Sequence, residues 1–289
     1  MSDFHKRTWL ITGASSGLGK SLALEALSKG HRVLGTTREI QKAQHSFPEF
    51  EVNGGTWLSL DPGNPVAHEM ATNIFAAHNI DVLVNNAGYA FIGGVEDTSE
   101  DEVRSQMEVN FYGPLRLIRA ALPNMRSKRS GNIVLISSGA GFTARPGRAA
   151  YSASKFAIEA IHESLSDEIE TFGIKVLIVE PGAFRTPFAS RIITPAQYRS
   201  NGGFSQAYQG TSVEKMVRGM SDTTGMPGWL KGDPQKAAKA ILDAVENGHE
   251  YLRMPLGADC VTALESKMNS LQRDFDLTRA VANSTGVDS

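Results

Sequence analysis

Tyr151 and Lys155 stand four residues apart in Tyr151-Ser152-Ala153-Ser154-Lys155. On a helix that spacing projects both side chains from one face. A tyrosine titrates near 10, and an ammonium beside it stabilises the phenolate. Bringing the phenol to about 7 takes about 4 kcal/mol of differential stabilisation, at roughly 1.36 kcal/mol per unit. Taken alone, the pair fits an ordinary exposed helix better, and its neighbours change the reading. Ser138 lies thirteen residues before Tyr151, while near the start the chain reads Thr12-Gly13-Ala14-Ser15-Ser16-Gly17-Leu18-Gly19. Glycines there let the backbone turn tightly and approach a pyrophosphate, and a helix beginning at the turn offers its free N–H groups to that charge.

These residues need elements to hold them. Short apolar runs recur at Thr8 to Thr12, Arg32 to Thr36, Thr56 to Leu60, Asp81 to Asn85, Asn132 to Ser137, Lys175 to Glu180 and Tyr251 to Met254. Most are rich in Val, Ile and Leu without polar alternation, as strands covered on both faces of a parallel sheet are. Helical spacing fills Gly19 to Lys29, Pro65 to Ala77, Ser99 to Arg126, Tyr151 to Thr171 and Pro234 to Asn247. Ser99-Glu100-Asp101-Glu102 is a capping box, and Asp233-Pro234 sets a cap before a proline at the first helical position. The alternation predicts an α/β fold: one doubly wound, Rossmann-type parallel sheet of about seven strands with helices on both faces, in a single domain over 1–289. Two segments break the rhythm. Residues 186–232, rich in Gly, Ser, Thr and Pro, carry Phe188, Tyr198, Phe204, Tyr208, Met216, Met220, Met226 and Trp229, and read as a long loop that forms a substrate lid. Val261, Leu264, Met268, Leu271 and Phe275 draw one apolar stripe, predicting an appended amphipathic helix over about 258–280.

Asn85-Asn86-Ala87-Gly88 follows the fourth strand, and Pro181-Gly182 with Thr186 follows the sixth. Together with T-G-x-x-x-G-x-G, Ser138 and Y-x-x-x-K, in order and each on its proper element, they make the chain resemble the classical short-chain dehydrogenases/reductases from Thr8 to Met254. The resemblance implies that Tyr151 is the general acid in carbonyl reduction and the base in alcohol oxidation. Ser138 would donate a hydrogen bond to the substrate oxygen, where negative charge develops. Lys155 would hold the nicotinamide ribose and, with an oxidised nicotinamide, lower the phenol. Asn110 would anchor, through its backbone, a water linking Lys155 to solvent. Ser137 rivals Ser138, though the thirteen-residue offset favours Ser138. The dinucleotide would be held by Gly13, Ser15, Ser16, Gly17, Leu18 and Gly19, by Asn86, Ala87 and Gly88, by Tyr151 and Lys155, and by Pro181, Gly182 and Thr186. Asp61 would contact the adenine, or else serve only as a turn residue before Pro62.

Cofactor choice turns on the end of the second strand, Thr36-Thr37-Arg38. An NAD enzyme would normally place an acid there for the ribose hydroxyls. Neutral Thr37, then a guanidinium at Arg38 with Ser16 near by, suits the 2′-phosphate of NADP (NADPH), unless Arg38 is a surface residue paired with Glu39. The expected activity is an NADP(H)-dependent interconversion of a carbonyl and a secondary alcohol on a bulky apolar substrate. That substrate would lie between Ser138, Tyr151, Phe184 and Phe188. A non-catalytic NADP(H)-binding regulator or scaffold is the alternative, and a nucleotide-sugar epimerase is disfavoured because its first turn is usually G-x-x-G-x-x-G.

Composition trims the other classes. Hydrophobic residues make up 41% and charged residues 21%, and 29 Lys+Arg against 31 Asp+Glu leave a net charge of −2. No broad basic surface is expected for nucleic acid or anionic lipid. Cys260 is the only cysteine, so no disulfide can form within the chain. The opening residues lack the length of a signal h-region, and no run approaches a membrane span. A cytoplasmic protein is therefore expected. His5, His31, His45, His68, His78, His162 and His249 show no metal-ligand spacing, so no metal is expected. Family resemblance implies a homo-oligomer, a dimer or tetramer, paired through the helices near Ser99 and Tyr151.

Overall fold

The computed structural model describes residues 6–221 and 230–287; His5, Met226 and Trp229 lie outside them. Strands β1 (Thr8–Thr12), β2 (Arg32–Thr37), β3 (Thr56–Ser59), β4 (Val82–Asn85), β5 (Gly131–Ile136), β6 (Ile174–Pro181) and β7 (Arg253–Leu256) form one sheet in the order β3-β2-β1-β4-β5-β6-β7. Every pairing is parallel. The helices are α1 (Gly17–Ser28), α2 (Ile40–Ser46), α3 (Glu49–Val52), α4 (Ala67–His78), α5 (Glu100–Met107), α6 (Gly113–Lys128), α7 (Ala149–Ile169), α8 (Ser212–Ser221), α9 (Pro234–Asn247) and α10 (Ala258–Asn283).

Strand β1 shows how the layers arise. Side chains alternate across a strand. Trp9 and Ile11 join Leu22, Ala23 and Ala26 of α1 and Ile241, Leu242 and Val245 of α9 in one apolar layer. Leu10 points the other way, into Ala71 and Phe75 of α4, Leu117 and Ala121 of α6, and Leu165 of α7. Both faces are covered, which is why the strands read as unbroken apolar runs. Each fully buried Leu, Ile or Phe contributes about 1.5–3 kcal/mol, so the two layers fix the register as well as the fold. Strand order reverses between β1 and β4, and a crevice opens at such a point beyond the carboxyl ends of the strands.

Three elements depart from the sequence reading. The single helix expected over Ser99 to Arg126 is α5 and α6 joined by a π-helical turn, Glu108–Tyr112. Pro114 has no N–H to give the carbonyl of Asn110 four residues earlier, so α-helical bonding cannot run through unchanged. Helices α2 and α3 fill a stretch with no sequence signal beyond Phe47 and Phe50, which stack with Trp57 under the β2–β3 edge. Within 186–232 the chain forms α8, where Val213, Val217 and Met220 are buried at helical spacing. A structureless loop over that whole stretch is therefore not what the chain adopts.

Candidate active site

The glycine turn hangs on Thr12 and Asn86. Thr12 Oγ1 donates to the Val84 carbonyl and accepts from the Asn86 and Ala87 N–H groups at 2.9 Å, locking the ends of β1 and β4 together. The Asn86 amide donates to the Thr12 and Gly13 carbonyls at 2.8 and 3.2 Å. Gly13 and Gly17 have φ of +63° and +60°, a region that favours glycine. A Cβ on Gly19 would collide with the Asn86 amide and come within 2.7 Å of the Gly13 carbonyl. Gly19 therefore serves helix-to-turn packing and stands behind the cleft wall. Ser16, at the N-cap of α1, makes no side-chain capping bond, so the helix start is left to an incoming acceptor.

From this turn a cleft of about 980 Å³ runs to Tyr151, at the upper end of the roughly 300–1,000 Å³ typical of ligand pockets. Its wall includes Gly13, Ser15, Ser16, Gly17, Leu18, Thr37, Arg38, Asp61, Asn86, Ala87, Gly88, Ser138, Tyr151, Lys155, Pro181, Gly182, Phe184, Thr186 and Phe188. Of the residues assigned from sequence to catalysis or to the cofactor, Gly19 and Asn110 stand behind it. Glu39 pairs with Lys42 at 3.7 Å, not with Arg38, and Arg38 makes no ion pair among the described residues. Lys42 also faces the cleft, a second cation that no sequence pattern marked. Asp61 lines the cleft and accepts from the Gly63 N–H at 3.0 Å, so it is a turn residue as well.

At the other end α7 presents Tyr151 and Lys155 one turn apart, and Ser138 lines the same stretch of cleft as the phenol. Ser138 also accepts from the Ala140 N–H at 3.2 Å. Ser137 spends its hydroxyl on Glu159, which removes it as a rival. Lys155, only 6% exposed, donates to the Ile136 carbonyl at 2.9 Å. Burial lowers its pKa to about 8 from 10.5, against the opposing pull of Glu159. Burial likewise raises the Tyr151 phenol; Ser138 and the Arg148 guanidinium pull it down, and Glu159 pushes it up. Without a bound cofactor, desolvation of the buried ring outweighs the charges around it; the lowering expected of Lys155 together with an oxidised nicotinamide belongs to the cofactor-bound state. Tyr151 stays a protonated donor at neutral pH.

Glu159 sits one turn beyond Lys155 and is 2% exposed. It is neutralised by Arg253 of β7, which also reaches Glu180 at 2.7 Å and Glu163 at 2.9 Å. This ion cluster, spanning α7, β6 and β7, backs the site and was invisible in sequence, although Tyr151, Lys155 and Glu159 share i, i+4, i+8 spacing.

Two amides fix the wall opposite. Gln106 Oε1 accepts from the Phe91 N–H at 2.6 Å and its Nε2 donates to the Tyr89 carbonyl. Asn110, buried in the π turn, accepts from the Tyr89 N–H, and donates to the Tyr89 carbonyl and to Ser154 at 3.0 and 3.1 Å. The other wall comes from the chain after β6. Phe188 is 37% exposed with its ring 6.1 Å from that of Tyr151, and Met220 of α8 also faces the cleft. Phe204, Tyr208 and Met216, expected to line the pocket, pack instead in an apolar cluster with Ile92 and Val217. Asp259 and Cys260 of α10 complete the rim, Asp259 accepting from the Ala183 N–H at 2.8 Å. Among the described residues no group of His, Cys, Asp and Glu is placed to hold a metal, and no helix is long and apolar enough to cross a membrane.

Residues 7–196 match the family model for short chain dehydrogenases. Oxidoreductase claN of Passalora fulva is 44% identical over 212 residues, 73% of this chain and 94% of that one. A short-chain dehydrogenase from Streptomyces avermitilis superposes with a TM-score of 0.85 at 37% identity, covering 98% of this chain and all of the other. A metagenomic short-chain oxidoreductase solved in complex with NADP is 25% identical, with a TM-score of 0.64 over 88% of this chain and 97% of its own. The chain belongs to the short-chain dehydrogenase family, oxidoreductases acting on alcohol and carbonyl groups.

Proposed function

We propose that the protein is an NADP(H)-dependent reductase of a bulky, largely apolar ketone, or the dehydrogenase of the corresponding secondary alcohol. The observation that carries this reading is the meeting of Ser138, Tyr151 and Lys155 on one cleft wall that continues to the glycine turn. The cradle fits a dinucleotide: two glycines at positive φ, a helix start without a side-chain cap, and Arg38 without an ion-pair partner among the described residues. When bound, the nicotinamide supplies the hydride. Ser138 holds the substrate oxygen, and Tyr151, kept protonated by burial, gives it a proton as charge develops there. Lys155 lies behind Tyr151, placed to hold ribose hydroxyls and to return the proton. Asn110 ties the π turn to Ser154 of α7 and keeps Lys155 in line. Arg38, with Lys42 beside it, favours the 2′-phosphate over a free ribose, and the NADP held by a relative at 25% identity agrees. Phe184, Phe188 and Met220 give the substrate end an apolar wall, the last two within the stretch 186–232 that we read as the lid of a single domain.

A non-catalytic binder needs none of Ser138, Tyr151 and Lys155, and all three are kept together. We propose a reducing, cytoplasmic setting from the lone Cys260, and a homo-oligomer on the family resemblance. Tyr151→Phe keeps the ring packing and deletes only the proton donor. NADPH titration should give an unchanged Kd while ketone reduction falls by about 10² or more. Near-normal turnover in that variant would sink the assignment.

A further inference from the structure

The substrate end of the cleft is not wholly apolar. Arg148, the N-cap residue of α7, faces the cleft one turn before Tyr151 and acts electrostatically on its phenol. Its side chain is partly buried, and none of its donors meets an oxygen among the described residues. Nε is buried without a partner, and Nη2 has only the thioether of Met220 at 3.3 Å, a weak acceptor. Among the described residues no carboxylate pairs with it; its charged neighbour is Arg145, another cation on the same wall. The acids of the cleft are occupied elsewhere. Glu39 and Asp61 follow β2 and β3 at the far end, and Asp259 is bonded to the Ala183 N–H. Thr143, also on this wall, has a buried hydroxyl with no hydrogen-bond partner. A half-buried guanidinium with empty donors is costly to keep, and its planar fork matches a carboxylate in two parallel bonds.

Building on the reductase reading, we infer that the substrate is an oxo acid, its apolar body against Phe184 and Phe188 and its carboxylate received by Arg148. Residues three apart on a helix lie about 5–6 Å apart at Cβ, which sets the carboxylate a few bonds from the carbonyl held at Tyr151 and Ser138. Thr143 is positioned to add a hydroxyl donor.

A matched pair of ketones tests this: 4-oxo-4-phenylbutanoate and its methyl ester, equal in body and differing in charge. With NADPH, wild type should favour the acid in kcat/KM by ten- to a hundredfold. Arg148→Met should bring the acid-to-ester ratio of kcat/KM close to one through KM for the acid, with the NADPH Kd unchanged; any change in kcat that comes through the Tyr151 phenol is shared by both ketones and cancels in the ratio. Arg148→Lys, which keeps the charge without the fork, should recover part of it. Equal use of acid and ester by wild type, or an equal loss of both in Arg148→Met, overturns the inference. Calorimetric titration of the acid with NADP+ present, where no reduction occurs, decides the matter independently of turnover. A Kd weakened at least tenfold in Arg148→Met, with the Tm not lowered, supports the carboxylate site even if neither ketone is reduced, in which case the reductase reading alone fails. A Kd that does not change, or no binding of the acid to wild type, refutes the site.

Discussion

Lys155 should weaken the apoprotein at neutral pH. Its pKa is about 8 when folded and 10.5 ordinarily, so the unfolded chain binds the proton more tightly by about 2.5 units, or roughly 3 kcal/mol. Between pH 8 and 10.5 the unfolded state carries more protons than the folded one, and stability rises with pH over that window. The penalty is nearly complete at pH 7 and has shrunk to about 1 kcal/mol at pH 10, a difference on the order of 2 kcal/mol. Lys155→Met keeps a flexible stem of similar length and removes the titration. It also leaves the Ile136 carbonyl without its donor, a loss of about 1–3 kcal/mol at any pH. The two effects nearly cancel at pH 7, where the variant should match wild type or exceed it slightly. At pH 10 the lost hydrogen bond dominates and the variant should be the less stable. Urea unfolding of both proteins at the two pH values measures the change, and the same variant should lose NADPH affinity and turnover together. A stability difference that is identical at pH 7 and 10 would refute the idea that burial depresses the ammonium.

The remaining expectations are simpler to read. Thr37→Asp with Arg38→Leu exchanges a phosphate partner for a ribose partner and should move preference from NADPH toward NADH by about ten- to a hundredfold in Kd; a wild type that uses both equally removes the basis for it. Gly19→Ala drives a methyl into the Asn86 amide and the Gly13 carbonyl, and should cost about 1–3 kcal/mol and shift the glycine turn. An unchanged Tm and NADPH Kd in that variant would show that the turn can yield.

What was legible in the sequence was what local pattern encodes. Strands buried on both faces left runs such as Trp9-Leu10-Ile11, and Asp233-Pro234 marked the start of α9 to the residue. Helix α8 hid in a segment whose glycines and serines outweighed Val213, Met216, Val217 and Met220, although their i, i+3, i+4, i+7 spacing was a usable signal. The motif residues of the site were found because their spacing is local to one turn or one helix. Arg253 behind Glu159, Asp259 at Ala183 and Lys42 beside Arg38 were not, since partners brought together by folding leave no trace in spacing. How deeply Tyr151 is buried was hidden for a related reason: neighbouring charge can be guessed from sequence, but the depth of burial cannot.

The clamp that Gln106 and Asn110 place on Tyr89 and Phe91 divides the freedom to vary unequally between the two sides of the cleft. One side is a backbone held on its N–H and C=O groups by side chains from a helical turn, and a change there disturbs Ser154 and, through α7, the reacting groups. The other side joins the first through backbone bonds between Ala90, Ile92 and Ile193, through Asp97 and Glu102 accepting from Ser205 and Ala196, and through an apolar cluster around α8 that takes in Ile92 and Tyr151. Changes at its exposed, cleft-facing side chains, such as Phe188, leave the hydrogen bonds of the first side untouched. Substrate range in such a protein can drift by neutral steps on one wall while the chemistry on the other is conserved, and laboratory evolution of new specificity should collect its first useful changes after β6.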